Sequence, residues 1–358
     1  KKNDSDEKTN ENLPSIPSCI VKEVPKPPEI PDSRKTWAET VINTMTIKEL
    51  CMDFINNLRD YVAPDRQVVA YNANPYKNRY NDMQCYDESR IILKDWHHDY
   101  IHANHLSAPD GIKYLATQGP LKDTSDDFWH MVIQEEASVI VQLCKFIEGT
   151  TKKCFQYWPY ENESLELQYY SITKINKGEE IFPGITKSVL KVEKNSDRSI
   201  SRTVTHLMCE FWPDHMAPIE TTTVLKLWNF AKETCNGSPI VVHCSAGVGR
   251  TATLIGISYG VEMLKKSGMT IMNIIKELRL YRPKAVQTPY QYAFLHLCLI
   301  EHFIQINLVS RTPAMTTLFD DYKSLIEKRM AINEERLLKE GSLKSKKSKR
   351  SKRSQKEV

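Results

Sequence analysis

A thiol, a guanidinium and a run of small residues share one short segment of this chain, Pro239-Ile240-Val241-Val242-His243-Cys244-Ser245-Ala246-Gly247-Val248-Gly249-Arg250-Thr251. An apolar strand ends at His243, a glycine-containing loop follows, and Thr251 opens an apolar helix through Leu254, Ile255, Ile257, Val261 and Leu264. A strand–loop–helix of this kind gathers backbone N–H groups around one point at the positive end of a helix dipole, which makes an anion site sized for phosphate. Gly247 and Gly249 let the backbone curl tightly. Ser245, Ala246 and Val248 complete the loop whose amides would line the anion, and Arg250 offers a planar, two-pronged contact to its oxygens. Cys244 stands at the lip, where amides, dipole and guanidinium all favour the thiolate. A thiolate touching a bound phosphate is a nucleophile for phosphoryl transfer. The plain alternative is a buried structural cysteine before an ordinary helix start. A bare C-x5-R arises by chance, but the flanking His243, the glycines and Thr251 argue for chemistry.

The segment resembles the signature loop of the phosphotyrosine-specific, cysteine-dependent protein tyrosine phosphatases. Six further motifs occur in that family's order. Lys77-Asn78-Arg79-Tyr80 resembles its recognition loop, and Asp99-Tyr100-Ile101-His102-Ala103-Asn104 resembles a core motif. Tyr114-Leu115-Ala116-Thr117-Gln118-Gly119-Pro120 and Gln156-Tyr157-Trp158-Pro159 are similar to two more. Trp212-Pro213-Asp214-His215 resembles the mobile acid loop, and Gln287-Thr288-Pro289-Tyr290-Gln291-Tyr292 the glutamine loop.

The resemblance implies a role for each matched position. Transfer of the phosphoryl group from tyrosine to Cys244 leaves a phenolate that needs a proton. Asp214 is the candidate general acid, and then the base when water attacks the cysteinyl-phosphate. Gln287 would orient that water with Gln291 nearby, and Arg250 with the loop amides would stabilise the transition-state charge. By the same resemblance Glu148 pairs with Arg250, Thr251 donates to the Cys244 sulfur and His243 orders the loop. Tyr80 lines a deep cleft that favours phosphotyrosine over phosphoserine, and Asp82 accepts hydrogen bonds from the substrate backbone.

Some positions depart from the family pattern. Met216 stands where the acid loop has a glycine, which predicts a stiffer loop and altered closure. Ala252 replaces a glycine after Arg250-Thr251. His102 and His105 replace an Asn and an aromatic, away from the reacting atoms by resemblance, so their expected effects are structural.

The elements that position these residues are legible in outline. Thr46 and Glu49 form a capping box, and Ile47, Leu50, Cys51, Phe54, Ile55, Leu58 and Tyr61 follow helical spacing up to Ala63-Pro64-Asp65. Short strands separated by turn residues fill about 90–145 and 166–211, with Ser138–Leu143 a buried strand. Helices dominate after residue 220 around the strand Ile240–His243. Strands flanked by helices predict an α/β (α+β) domain, and the resemblance makes it a highly twisted mixed β-sheet flanked by helices. Leu318, Phe319, Tyr322, Leu325, Ile326 and Met330 share one helical face, so an amphipathic helix is expected near 314–340.

Composition sets the outer limits. The 358 residues are 41% hydrophobic and 26% charged, with only 12 glycines, which excludes collagen-like and low-complexity classes. The formal charge of +4 is too weak for a nucleic-acid binder, and no sequence-specific nucleic-acid partner is expected. Six prolines between Pro14 and Pro31 predict a disordered leader over 1–36, with Pro25-Lys26-Pro27-Pro28 a candidate SH3-type ligand. The predicted catalytic domain covers 37–308, with packed structure beginning near Thr46, and the C-terminal helix covers 309–340. Residues 341–358 hold eight basic side chains against one acid, Glu357, and are expected to stay disordered, available to anionic surfaces or as a nuclear signal. Nine scattered cysteines without a C-x-x-C pair suit a reducing, cytoplasmic setting, and neither a metal nor another cofactor is expected. The longest apolar runs fall short of a membrane span, while a membrane anchor upstream of residue 1 stays open. The expected activity is hydrolysis of phosphotyrosine in proteins. The alternatives are a phosphotyrosine-binding pseudoenzyme, which would lack the acid or the nucleophile, and a scaffold acting through its tails.

Overall fold

The computed structural model describes residues 32–161 and 163–354. Among these, the helices are α1 (Arg34–Thr44), α2 (Ile47–Asn57), α3 (Val69–Ala73), α4 (Ser125–Gln134), α5 (Thr221–Cys235), α6 (Arg250–Met263), α7 (Ile271–Tyr281), α8 (Pro289–Gln305) and α9 (Pro313–Ser354). The first strands are β1 (Arg90–Ile92), β2 (Tyr100–Ser107), β3 (Lys113–Thr117), β4 (Val139–Gln142), β5 (Ile147–Glu148) and β6 (Thr151–Lys152). They are followed by β7 (Ser164–Glu166), β8 (Tyr170–Lys174), β9 (Glu179–Phe182), β10 (Ile185–Lys194), β11 (Asp197–Cys209) and β12 (Ile240–His243).

One mixed sheet runs in the order β1-β2-β3-β12-β4-β11-β10-β8-β7, with β9 also on β10. Its centre is parallel: β12 lies between β3 and β4, and β4 pairs with β11. Its flanks are antiparallel hairpins, the longest being β10–β11. All four residues of β12 and of β4 are buried, as expected of strands covered on both faces. Helix α6 is buried along most of its length and packs against α8, α7 and the sheet. The mixed, helix-flanked sheet agrees with the expected class. At its centre β12 delivers Cys244 and α6 carries Arg250 away.

The capping box of α2 forms as predicted. The Glu49 amide donates to Thr46 Oγ1 at 3.2 Å, and the Thr46 amide donates to the Glu49 carboxylate at 2.7 Å. Packed structure nevertheless starts earlier than Thr46 or residue 37, because α1 begins at Arg34. Its apolar face is only Ala38, Val41 and Ile42. Trp37 completes it by stacking on His296 and meeting Phe303 edge-on, both from α8. The proline-rich segment up to Pro31 lies outside the described residues.

At the other end, α9 covers more than the expected 314–340. It docks through Met315, Leu318, Tyr322 and Ile326, all buried, against α1, α2 and α8, and its helical backbone continues to Ser354. The basic segment expected to be disordered is therefore helical over most of its length. Lys and Arg are good helix formers, and once the docked turns nucleate the helix, each further residue adds a hydrogen bond without a new nucleation cost.

Candidate active site

The loop from Cys244 to Gly249 joins the end of β12 to the first turn of α6. Cys244 is 5% exposed, and its Sγ accepts the Gly247 N–H at 3.2 Å. That amide is aimed from the opposite side. Arg282, fully buried, donates to the carbonyls of Ala246 at 2.9 Å and Gly247 at 3.0 Å. A trans peptide points its C=O and N–H in opposite directions, so holding the Ala246 carbonyl on Arg282 turns the Gly247 amide toward the sulfur. Gly247 has φ 72°, and a Cβ there would sit 2.1 Å from the Thr117 carbonyl oxygen, so both conformation and space demand glycine. At Gly249 a Cβ would meet the Gln287 side chain at 2.8 Å and the Gln291 amide at 2.9 Å. The missing side chain is what lets both glutamines close on the loop.

Arg250 is 2% exposed and makes four hydrogen bonds. Nη1 donates to the Leu143 carbonyl at 2.8 Å and to Glu148 Oε1 at 2.6 Å. Nη2 donates to Glu148 Oε2 at 2.6 Å and to Asp214 Oδ1 at 2.8 Å. The Glu148 contact predicted by resemblance is thus a bidentate fork. Burial opposes the charge of Arg250, but Glu148 more than offsets this and holds the guanidinium more firmly protonated than usual. The other Asp214 oxygen pairs with Lys153. Burial raises the Asp214 pKa, and the nearby Arg250 and Lys153 outweigh it, so the carboxyl titrates below its ordinary value.

Asp214 is carried on the segment from Trp212 to Pro218, which folds back on itself. The Met216 carbonyl accepts from Trp212 Nε1 at 3.1 Å and from Gln291 Nε2 at 3.3 Å. The left-handed residue of this turn is His215, at φ 55°, one position before the glycine-to-methionine departure. Met216 has an ordinary negative φ and a buried side chain. The turn therefore does not need a glycine at 216.

The recognition segment reaches the same loop. Ser245 Oγ donates to the Lys153 carbonyl at 2.9 Å, which leaves the Tyr80 hydroxyl to donate to Ser245 at 2.8 Å. Asp82 is 67% exposed at the rim and pairs with Lys284 at 3.0 Å. Gln287 donates its backbone N–H to Gln291 Oε1 at 2.9 Å. Just before it, Val286 has φ 56°, a strained conformation for a β-branched residue. Two hydrogen bonds hold it there, from its N–H to the Val248 carbonyl and from Arg279 Nη2 to its own carbonyl, each 3.0 Å.

Beneath the loop, the Tyr157 hydroxyl lies between His243 Nε2 at 2.8 Å and His206 Nε2 at 2.9 Å. Burial pushes His243 down to about 4, so it is neutral at pH 7. The contact expected from Thr251 is not made. Its hydroxyl is buried without a hydrogen-bond partner, and the sulfur is served by the Gly247 amide instead.

Three residues of the arrangement were not singled out from sequence. Lys153 and Arg282 are charged side chains that turn inward, and Arg279, which holds Val286, does the same. Sequence offered one weak signal for Arg282, a cation between two residues of the run Tyr281-Arg282-Pro283 at a helix end. The resemblance puts His102 away from the reacting atoms. It is one residue removed from the loop, because its Nδ1 meets Arg282 Nη2 at 3.0 Å while Nε2 meets the Met83 carbonyl at 2.7 Å. Among the described residues, one group has metal-ligand proximity, His97, His98 and Asp127. There the Lys77 ammonium already bonds His98 at 2.7 Å and Asp127 at 2.9 Å.

Comparison with known proteins agrees with this geometry. Residues 74–301 match the model of the protein-tyrosine phosphatase family. Human tyrosine-protein phosphatase non-receptor type 7 is 36% identical over 260 residues, covering 70% of this chain and 69% of that protein. Human receptor-type tyrosine-protein phosphatase H is 32% identical over 280 residues, of which the chain spans only 24% of the relative's length. The crystal structure of the catalytic domain of human protein tyrosine phosphatase non-receptor type 18 superposes with a TM-score of 0.65 at 32% identity, covering 76% of this chain and 100% of that one. A structure of PTPN18 in complex with HER2 phospho-peptides gives 0.61 at 32% identity, covering 72% and 97%. The chain belongs to the protein-tyrosine phosphatase family.

Proposed function

We propose that this chain hydrolyses phosphotyrosine in proteins through a cysteinyl-phosphate on Cys244. The observation that carries the reading is the convergence of Cys244 Sγ, the buried Arg250 fork and Asp214 at the head of α6. The sulfur attacks phosphorus, the bond to the tyrosyl oxygen breaks, and Asp214 delivers a proton to the leaving phenolate. Water then attacks the same phosphorus, Asp214 takes the proton back, and the S–P bond breaks to free phosphate and restore the thiolate. Gln287 and Gln291 orient that water.

The low proton affinity of Asp214 in the unliganded site fits this sequence. Its partners there are Arg250 and Lys153, both cations. A phosphate dianion bound to Arg250 replaces a neighbouring positive field with a negative one, which raises the proton affinity of Asp214 when an acid is needed. Tyr80, anchored on the loop through Ser245, lines one wall of the cleft and sets its depth for an aryl phosphate, and Asp82 at the rim meets the substrate backbone. His243, through the Cys244 carbonyl, and Glu148, through Arg250, hold the loop and its arginine.

Phosphotyrosine-containing proteins are the proposed partners, in keeping with the phospho-peptides bound by PTPN18. A cytoplasmic setting belongs to the same reading, since the described cysteines are all free thiols. No described helix is long and apolar enough to cross a membrane. The Lys/Arg-rich end of α9 suits an anionic surface, and the Pro25–Pro28 segment an SH3-type module.

The test is phosphate release from a phosphotyrosine peptide. Cys244→Ser is expected to abolish it, and Asp214→Ala to lower kcat by about 10²–10⁴-fold, the usual range for a lost general acid. Release by Cys244→Ser at the parental rate refutes the mechanism.

A further inference from the structure

We infer that Tyr322, on α9, is a positioning residue for the loop that carries Asp214. The inference rests on the proposed role of Asp214 as the acid. Helix α9 begins at Pro313, beyond the last residue matched by the family model, so the resemblance assigns it nothing. Its buried Tyr322 nevertheless donates its hydroxyl to the Pro218 carbonyl at 2.8 Å. Pro218 closes the C-terminal end of the Trp212–Pro218 segment and is itself buried.

The other end of the segment reaches the same tyrosine through one ring. Trp212 meets Phe294 of α8 edge-on at 5.7 Å, and Phe294 packs on Tyr322 at 6.0 Å. Both ends of the loop therefore rest on one contact point, one end by a hydrogen bond and the other through a shared aromatic neighbour. Further along α9, Met330 and Asn333 line a cavity of about 660 Å³ together with Trp212, Asp214 and Lys153. The helix thus forms a wall beside the loop as well as a support beneath it.

The Tyr322 hydroxyl is the donor that the structure gives the Pro218 carbonyl. Removing the Tyr322 hydroxyl leaves a buried acceptor unpaired in this arrangement and so weakens it relative to any other placement of the loop. The substitution Tyr322→Phe keeps the ring on Phe294 and removes only that bond.

The experiment measures kcat/KM of the full chain on a phosphotyrosine peptide and on p-nitrophenyl phosphate, whose leaving group needs protonation far less. Tyr322→Phe is expected to lose about fivefold on the peptide, the factor a typical hydrogen bond supplies, and clearly less on p-nitrophenyl phosphate. Leu318→Ala, at a buried α9 position one turn before Tyr322 that has no hydroxyl to give the loop, is the control. It should lower the melting temperature and leave the ratio of the two activities at the parental value. Parental kcat/KM for Tyr322→Phe, an equal loss on both substrates, or the same change of ratio in Leu318→Ala each overturns the assignment. Asp214→Ala, measured alongside, separates the two ideas. If it spares the peptide, the acid role fails; if it alone shifts the ratio, only the Tyr322 role fails.

Discussion

Truncating Glu148 to alanine isolates what the buried fork on Arg250 does. The side chain supplies two of the four hydrogen bonds on a guanidinium that is 2% exposed. Breaking a fully buried ion pair from one side costs about 3–5 kcal/mol, because the remaining charge is stranded. Two features place this case at the low end. Glu148 is itself 18% exposed, and Asp214 remains as a second carboxylate on Nη2. A loss of about 3 kcal/mol corresponds to roughly 5 °C in Tm for a domain of this size. The arginine keeps its charge, but its plane is no longer fixed. It swings toward Asp214, and the two prongs meant for phosphate lose their alignment. Removing one preorganised donor from a transition state costs about 10²–10³-fold, so kcat/KM on a phosphotyrosine peptide should fall by at least about 10²-fold. Glu148→Gln, which keeps the volume and one acceptor, should lie between parent and Glu148→Ala in both measures. Thermal unfolding and steady-state kinetics decide the matter. A Glu148→Ala protein that melts with the parent and keeps its kcat/KM would show that Leu143 and Asp214 suffice to hold Arg250.

Two further outcomes follow from titrating groups. Lys153→Met removes one of the cations that hold Asp214 below its ordinary pKa, while burial of the carboxyl remains, so Asp214 titrates higher. Catalysis needs the protonated acid, so the descending alkaline limb of kcat/KM should move to higher pH; a limb that stays in place refutes Lys153 as the cause. Burial holds His102 at about 3 and His243 and His296 at about 4 in the folded chain. Between about pH 6.5 and 4 the unfolded chain therefore binds more protons than the folded one, and stability drops as pH falls through that window, by up to about 1.4 kcal/mol per pH unit for each histidine. Urea midpoints that stay constant from about pH 7 to pH 5 would contradict this.

How much of this was legible depended on how local each signal is. The strand–loop–helix around Cys244 could be read because its parts are contiguous: an apolar run, small residues, then a helix start. The capping box at Thr46 is equally local. Helix α1 is hard to see in the sequence because its apolar face is only three residues in a polar segment, and its stability comes from Trp37 meeting α8 far along the chain. The extent of α9 is hidden because like charges in the sequence argue for disorder, whereas propagation from the docked turns carries the helix on. The family pattern asks for a glycine at Met216, whereas the backbone puts the left-handed residue at His215. Lys153, Arg279 and Arg282 escaped for one shared reason: sequence reveals a charge but not that it is buried, and a buried charge acts through partners that are distant in the chain.

Arg282 shows why such residues matter to the chemistry. A buried guanidinium is costly unless its hydrogen bonds are filled. Here they are filled by the carbonyls of Ala246 and Gly247 on one side and by Asn104 at 2.6 Å and His102 at 3.0 Å on the other. The two carbonyls are thereby turned out of the site, and planarity of the peptide unit turns the following amides in. An anion cradle needs its acceptors removed as much as its donors supplied, since a single carbonyl facing the phosphate would repel it. The motif around Cys244 provides residues small enough to make the turn, but the direction of the turn is set by an arginine about forty positions later and by strand β2. His102 fits this scheme as a neutral acceptor. Burial and the adjacent Arg282 keep it unprotonated, so it presents a lone pair, where a protonated imidazole would face the guanidinium with a like charge.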